Sequence, residues 1–413
     1  MFIGAIADDL TGATDLALML SRAGMRVLQT VGVPEPGTDF GDAEAVVVSL
    51  KSRTVPAGEA VAQSVASARV LLACGARQLF FKYCSTFDST DRGNIGPVTD
   101  ALLDLLGDSR TIACPAFPAN KRTVFKGHLF VGDVLLSDSS MRDHPLTPMR
   151  DANLVRVLSR QTQRPVSLIA HDVVADEAAL AAEFERLDGI AIVDAIDEAD
   201  LHAIGRAARG LKLVTGGSGV ALGLPANFLG PERHGGGQGT VSAASGGAVI
   251  LAGSCSVATR GQIEAAMAQG MPAMQIDPLA IADGSLTVDD AVKFAQSAGA
   301  VPLIYSSADP ADVAVAQERL GRDKAGTVVE HFLGDVARRL LADGFTRFLV
   351  AGGETSGAVV NALDIRTLAI GPEIDPGVPW TTFTHDGKAV ALALKSGNFG
   401  TPDFFIKAWR LVA

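Results

Sequence analysis

Cysteine is scarce: Cys74, Cys84, Cys114 and Cys255 are the whole complement, and none stands in a CxxC or Cys/His spacing. Neither a zinc site nor a disulfide framework is indicated, so reduced, mostly buried thiols are expected. No apolar run approaches the roughly 18 residues needed to span a bilayer, which argues against membrane insertion. The opening MFIGAIADD has no basic start and carries two acids by position nine, unlike a secretory signal, and a cytoplasmic location is expected. Positive charge is also in deficit. With 35 Lys and Arg against 46 Asp and Glu, the formal charge is −11, so the chain as a whole repels nucleic acid and anionic lipid. An anionic substrate therefore requires a local cluster of cations and backbone N–H groups.

Several familiar motifs are missing too. There is no GxxxxGK[ST], no GxGxxG after the first apolar run and no GxSxG, which removes the P-loop, the usual dinucleotide fold and the hydrolase elbow. The seven histidines are scattered without metal spacing, and His144 draws notice only for its unusual His144-Pro-Leu-Thr-Pro-Met149 setting. No metal-ligating residues are assigned.

What is present is an ordinary globular composition, 48% apolar and 20% charged with only 19 prolines, over 413 residues, a length that favours two domains. Short apolar runs alternate with amphipathic stretches. The first are Phe2 to Ala7, a helix from about Thr14 to Ala23, Val27 to Val31, Ala45 to Leu50, a helix through Ala57 to Cys74, and Gln78 to Tyr83. Strand followed by helix, repeated, means a mostly parallel sheet with helices on both faces. The pattern breaks between Ala226 and Gly247 in a Gly- and Ser-rich stretch, then restarts with Ala248 to Ala252. The expected organisation is α/β in two domains, 1–228 and 248–413, joined by a linker at 229–247, with ligands in a cleft between them at the carboxyl ends of strands.

Three polar groups follow strands of the first domain. Asp8, Asp9, Leu10, Thr11 and Gly12 follow the first strand, where Asp8 or Asp9 could take a proton from a substrate hydroxyl or could instead cap the next helix. Lys82 to Gly96 gathers a Lys, Arg92, hydroxyls including Ser85 and Thr86, and Asn94, a set suited to gripping a carboxylate and its neighbouring hydroxyls. Lys51, Ser52 and Arg53 form the third group. A further candidate, Gly216-Gly-Ser-Gly219, reads equally as a strand-to-helix turn. In the second domain, Gly253 to Thr259, Gly352 to Gly357 and Lys395 to Gly400 each follow a strand. Glycine allows close backbone approach and helix N-termini aim N–H groups at anions, so nucleotide phosphate is the natural occupant of these loops.

The segments DDLTG at 8–12, KYCSTFDST at 82–90, RGNIG at 92–96, HPLTPM at 144–149, GGETSG at 352–357, GPEIDPGVPW at 371–380 and LKSGNFG at 394–400 together resemble the four-carbon acid sugar kinase family over essentially the whole chain. KYCSTFDST and HPLTPM look most like its 3-oxo-tetronate branch, as against the threonate and erythronate kinases. The resemblance implies a sugar-acid-binding N-terminal domain, an ATP-binding C-terminal domain and transfer to the C4 hydroxyl, with Mg2+ on the phosphates. Carried over by position, Asp9, Lys82, Ser85 and Arg92 would belong to the acid site, and Ser256, Gly353, Glu354, Thr355, Ser356 and Gly400 would line the nucleotide. Asp9 is then the expected base, with Lys82 or Arg92 on the substrate carboxylate. Asp8, Thr11, Arg53, Ser85, Thr86, Asn94 and His144 surround the acid, and Ser254, Gly352 and Gly397 complete the nucleotide loops. A small sugar acid and ATP are the expected partners, and assembly into a homo-oligomer stays open. A two-domain binder without chemistry is the alternative of another class; the three Gly-rich loops speak against it.

Overall fold

The computed structural model describes residues 1–144, 146–230, 241, 245–306 and 318–412. The chain divides into two compact units, Met1–Gln238 and Gly239–Ala413. Of the expected linker, 231–240 and 242–244 lie outside the described residues.

The N-terminal unit is built on strands β1 (Ile3–Ala7), β2 (Val27–Val31), β3 (Ala45–Ser49), β4 (Gln78–Lys82), β5 (Arg110–Cys114), β9 (Val166–Ile169), β10 (Gly189–Val193) and β11 (Leu213–Gly216). They lie in the order β2-β3-β1-β4-β11-β5-β10-β9, and every neighbouring pair is parallel. The inner strands explain the pattern seen in the sequence. IGAIA, AVVVS and GIAIV are buried along their whole length, as parallel strands covered on both faces must be. A small antiparallel sheet of β6 (Arg122–Phe125), β7 (His128–Val131) and β8 (Val134–Leu135), not anticipated from the sequence, is inserted after β5.

The first helix is Leu10–Arg22, four residues earlier than expected, because the Asp9 side chain caps it by accepting the Gly12 N–H. The second chain reversal of interest, Gly216 to Gly219, is a packing turn. A Cβ on Gly216, Gly217 or Gly219 would stand 2.3, 2.6 or 2.5 Å from the carbonyl oxygens of Cys114, Pro115 and Ala116 respectively, so backbone approach accounts for these glycines.

In the C-terminal unit, β12 (Gly247–Ala252), β13 (Ala273–Gln275), β14 (Leu303–Tyr305), β15 (Phe345–Ala351), β16 (Thr367–Asp375), β17 (Val378–His385) and β18 (Lys388–Lys395) lie in the order β13-β14-β12-β15-β18-β17-β16. Pairing is parallel from β13 to β18 and antiparallel across β18, β17 and β16. Its core collects Ile250, Leu349, Ala393, Phe404 and Phe405 around Trp380, whose indole N–H donates to the Ala408 carbonyl at 2.9 Å. Burying the tryptophan's polar atom with a partner removes the desolvation cost that an orphan N–H would carry.

Strand order positions the candidate sites. In the first unit, β3, β1 and β4 are adjacent, and the chain leaves β1 toward one side of the sheet before returning to the other. This is a topological switch point, where loops diverge and leave room for a ligand. The second unit repeats the arrangement with β14, β12 and β15.

Candidate active site

The loops after β1, β3 and β4 bring Asp8, Asp9, Arg53 and Lys82 together. Arg53 donates to Asp8 through Nε at 2.9 Å and Nη2 at 2.8 Å, and Nη2 also reaches Asp9 Oδ1 at 2.7 Å. Its Nη1 stands 3.6 Å from Asp88. One guanidinium therefore balances three carboxylates in a mostly buried place, and bidentate geometry fixes its plane. Arg53, expected among the substrate-binding residues, is engaged by these protein carboxylates. Its loop is itself pinned, since Asn94 Nδ2 donates to the carbonyls of Ser52, Arg53 and Val55 at 2.9, 3.3 and 2.9 Å. Asn94 thus positions Arg53.

The two aspartates differ in their surroundings. Asp8 has a side chain only 8% exposed, and burial raises its pKa despite Arg53. Asp9 is 28% exposed. Burial pushes Asp9 upward as well, but the charges of Arg53 and Lys82 and the bonds from Thr11 and Gly12 outweigh it, leaving its pKa below 3.8. Thr11 Oγ1 donates to Asp9 Oδ2 at 2.9 Å, and that oxygen retains a lone pair. Asp9 is a charged, reachable acceptor at neutral pH.

Lys82, 3% exposed at the end of β4, donates to the Tyr83 carbonyl at 2.9 Å. A side chain at Gly12 would lie 2.2 Å from Asp9 Oδ1 and 2.8 Å from Lys82 Nζ, so both groups face the N-terminus of the first helix. Thr86 Oγ1 donates to Asp88 at 2.6 Å and lies 2.9 Å from Cys84 Sγ. Burial pushes the Cys84 thiol up to about 12, which removes it as a nucleophile. Asp88, overlooked in the sequence, is held at φ 40° beside Phe87 at φ 66°. Only the fold reveals that this turn aims its carboxylate at Arg53.

Ser85 is half-buried. Arg92 is exposed, with no ion pair among the described residues. His144 is engaged within its own loop, where Nδ1 lies 3.0 Å from Thr147 Oγ1 and accepts the Thr147 N–H at 3.2 Å. The adjoining Pro145 lies outside the described residues.

In the second unit the loops after β12, β15 and β18 converge. A Cβ on Gly253 would stand 2.2 Å from Thr355 Oγ1, one on Gly352 would stand 3.2 Å from the Ser254 nitrogen, and one on Gly397 would stand 2.5 Å from Ser254 Oγ. Gly352 sits at φ +125° and Gly400 at +85°, which side chains oppose. Ser256 caps helix Val257–Ala268 by accepting the Thr259 N–H at 3.2 Å, while its hydroxyl donates to the Gly397 carbonyl at 2.5 Å.

GGETSG is less of a loop than expected: helix Gly353–Ala362 begins within it, and no side chain caps its first turn. Gly353 and Glu354 are exposed, whereas Thr355 and Ser356 are buried. Uncapped N–H groups beside glycines with open space are suited to phosphate oxygens. Lys395, which opens the third of these loops and whose carbonyl accepts the Gly352 N–H, is fully buried.

Residues 3–224 match the family described as the sugar-binding N-terminal domain, and residues 249–405 the nucleotide-binding C-terminal domain. The chain is 56% identical to the 3-oxo-tetronate kinase of Cupriavidus necator, over 99% of this chain and 96% of that one. It belongs to the four-carbon acid sugar kinase family. Another member, the 3-oxo-tetronate kinase of Pseudomonas fluorescens, is 54% identical over 98% of this chain and 96% of its own. Among solved structures, a Haemophilus influenzae protein of the DUF1537 family superposes with a TM-score of 0.82 at 39% identity, covering 99% of this chain and 100% of that one. A Salmonella typhimurium LT2 protein, solved under the description of a tRNA synthase, gives 0.88 at 42% identity over 99% and 98% of the two chains. No helix among the described residues is long and apolar enough to cross a membrane.

Proposed function

We propose that this chain is an ATP-dependent kinase that transfers the γ-phosphoryl group to the C4 hydroxyl of 3-oxo-tetronate, yielding the 4-phosphate. The observation that carries the reading is its near full-length identity of 54–56% to 3-oxo-tetronate kinases, with a nucleotide-binding second domain. Asp9 accepts the C4 proton at a carboxylate oxygen as the new P–O bond forms and the bond to the ADP oxygen breaks. Lys82 and Arg92 hold the substrate carboxylate, with Ser85, Thr86, Asp8, Thr11 and His144 around the acid. Arg53 and Asn94 keep Asp9 charged and in place.

Ser254, Ser256, Gly352, Gly353, Glu354, Thr355, Ser356, Gly397 and Gly400 form the nucleotide surface. The donor is MgATP. Among the described residues no group of three or more His, Cys, Asp or Glu could cage a metal, so phosphate oxygens and water would carry Mg2+, which offsets the charge of the transferring group.

Coupled detection of ADP with 3-oxo-tetronate, D-threonate and D-erythronate as acceptors tests the reading. The expected result is ADP formed with 3-oxo-tetronate at a kcat/KM at least about tenfold above either competitor, equivalent to roughly 1.4 kcal/mol of discrimination. A preference for D-threonate or D-erythronate would reassign the substrate, and binding of the acid without ADP formation would remove the kinase.

A further inference from the structure

Lys395 closes β18 with its side chain wholly buried, and among the described residues no carboxylate pairs with it. Its Nζ instead faces four oxygens: Thr259 Oγ1 at 3.0 Å and the carbonyls of Ser396, Gly397 and Phe399 at 3.1, 3.0 and 3.1 Å. Three of the four belong to the loop that follows it. In a trans peptide the C=O and the next N–H point in opposite directions. Turning the carbonyls of 396, 397 and 399 onto the ammonium therefore turns the N–H groups of Gly397, Asn398 and Gly400 away from it. A run of outward N–H groups is the element that an anion needs.

Other contacts keep this loop in place against helix Val257–Ala268. Thr259 and Ser256 both donate to the Gly397 carbonyl, and Gln262 Nε2 donates to the carbonyls of Phe399, Gly400 and Thr401 at 3.0, 3.0 and 3.1 Å. The Lys395 carbonyl in turn accepts the Gly352 N–H at 2.8 Å, joining the loop to the one after β15.

We propose that the Lys395 ammonium serves as a built-in monovalent cation, a positioning group around which loop 396–400 is organised so that its N–H groups can receive nucleotide phosphate. This rests on the kinase reading and deepens it. Burial draws the lysine's pKa from 10.5 down to about 7, while the surrounding oxygens favour the ammonium, which offers them one N–H more than the neutral amine. Supplying its own cation, the wild-type chain is indifferent to whether sodium, potassium or ammonium is in solution.

The test uses MgATP affinity by calorimetry and ATP kinetics in the full chain, with Lys395→Ala and Lys395→Met. Wild-type affinity is expected to agree within about twofold in sodium, potassium and ammonium chloride at one ionic strength, whereas Lys395→Ala weakens MgATP binding by about tenfold or more. Ammonium at roughly 100 mM restores Lys395→Ala but not Lys395→Met, whose side chain fills the space a free cation needs. The effect falls on the KM for ATP and leaves the KM for the acid unchanged. Wild-type affinity that depends on the cation, Lys395→Ala with unaltered affinity, or weakened variants that ammonium cannot distinguish would each overturn the proposal. Wild-type protein that fails to bind MgATP would instead overturn the kinase reading.

Discussion

Asp8 and Asp9 are sequence neighbours that the fold sends to different fates. Asp8 is nearly buried and paired twice with Arg53, while Asp9 is more open and keeps its charge because Arg53 and Lys82 outweigh the effect of burial. Replacing Asp9 by Asn keeps shape and capping capacity but removes the proton acceptor, so kcat should fall by about 10² to 10⁴-fold with little change in the KM for ATP. Steady-state kinetics of the variant checks this. The folded pKa of Asp9 lies below its ordinary 3.8, so its contribution to stability is present above that value and is lost as pH falls through the folded one. The same sign places the acid limb of kcat/KM beneath pH 3.8 if Asp9 is the base. An acid limb between pH 5 and 7 would point to another group. The pair DD was legible in the sequence as a strand-end site. Which aspartate is accessible depends on Arg53, 44 residues away in the chain from Asp9, and no local pattern encodes that.

Among elements, the strand-helix alternation was readable because inner parallel strands are apolar on both faces, leaving runs such as GAVILA and AVVVS. β17 escaped because its start, VPW, follows Gly377 and contains Pro379, residues that usually punctuate strands. Its Trp380 is held there by tertiary packing, with a buried indole, and not by local propensity. The short strands β6 to β8 escaped for lack of length. The glycine loops have a sharper test. Gly253 lies against Thr355, and a methyl group added there would overlap Oγ1 at 2.2 Å. Gly253→Ala should therefore push apart the loops after β12 and β15 and raise the KM for ATP about tenfold or more, while the KM for the acid stays unchanged. A parallel rise in both constants, or none, would separate this glycine from the nucleotide site. Gly216, Gly217 and Gly219 look the same in the sequence but serve packing against Cys114 to Ala116, and only the backbone distances distinguish the two uses.

For the whole molecule, the proposed acid site and the proposed nucleotide site fall in different compact units, so each ligand is expected to have its own footprint. Hydrogen exchange should show 3-oxo-tetronate slowing amides at 8–12, 52–55 and 82–94, and MgATP slowing those at 253–256, 352–357 and 396–400. Each ligand at 100 times its Kd should also add about 2.7 kcal/mol of stability to the state it binds. Protection of the same unit by both ligands would contradict the division of labour. Composition, hydrophobic period and ordered motifs determined that there are two α/β units, that cations and hydroxyls cluster after early strands and that Gly-rich turns cluster after later ones, because those signals are local. Tertiary structure alone decided that Arg53 balances Asp8, Asp9 and Asp88, that Asn94 serves the backbone, and that Lys395 lies under its loop in a cage of oxygens. Such arrangements arise when strands distant in sequence become neighbours in a sheet, and charge balance in a buried place depends on that adjacency.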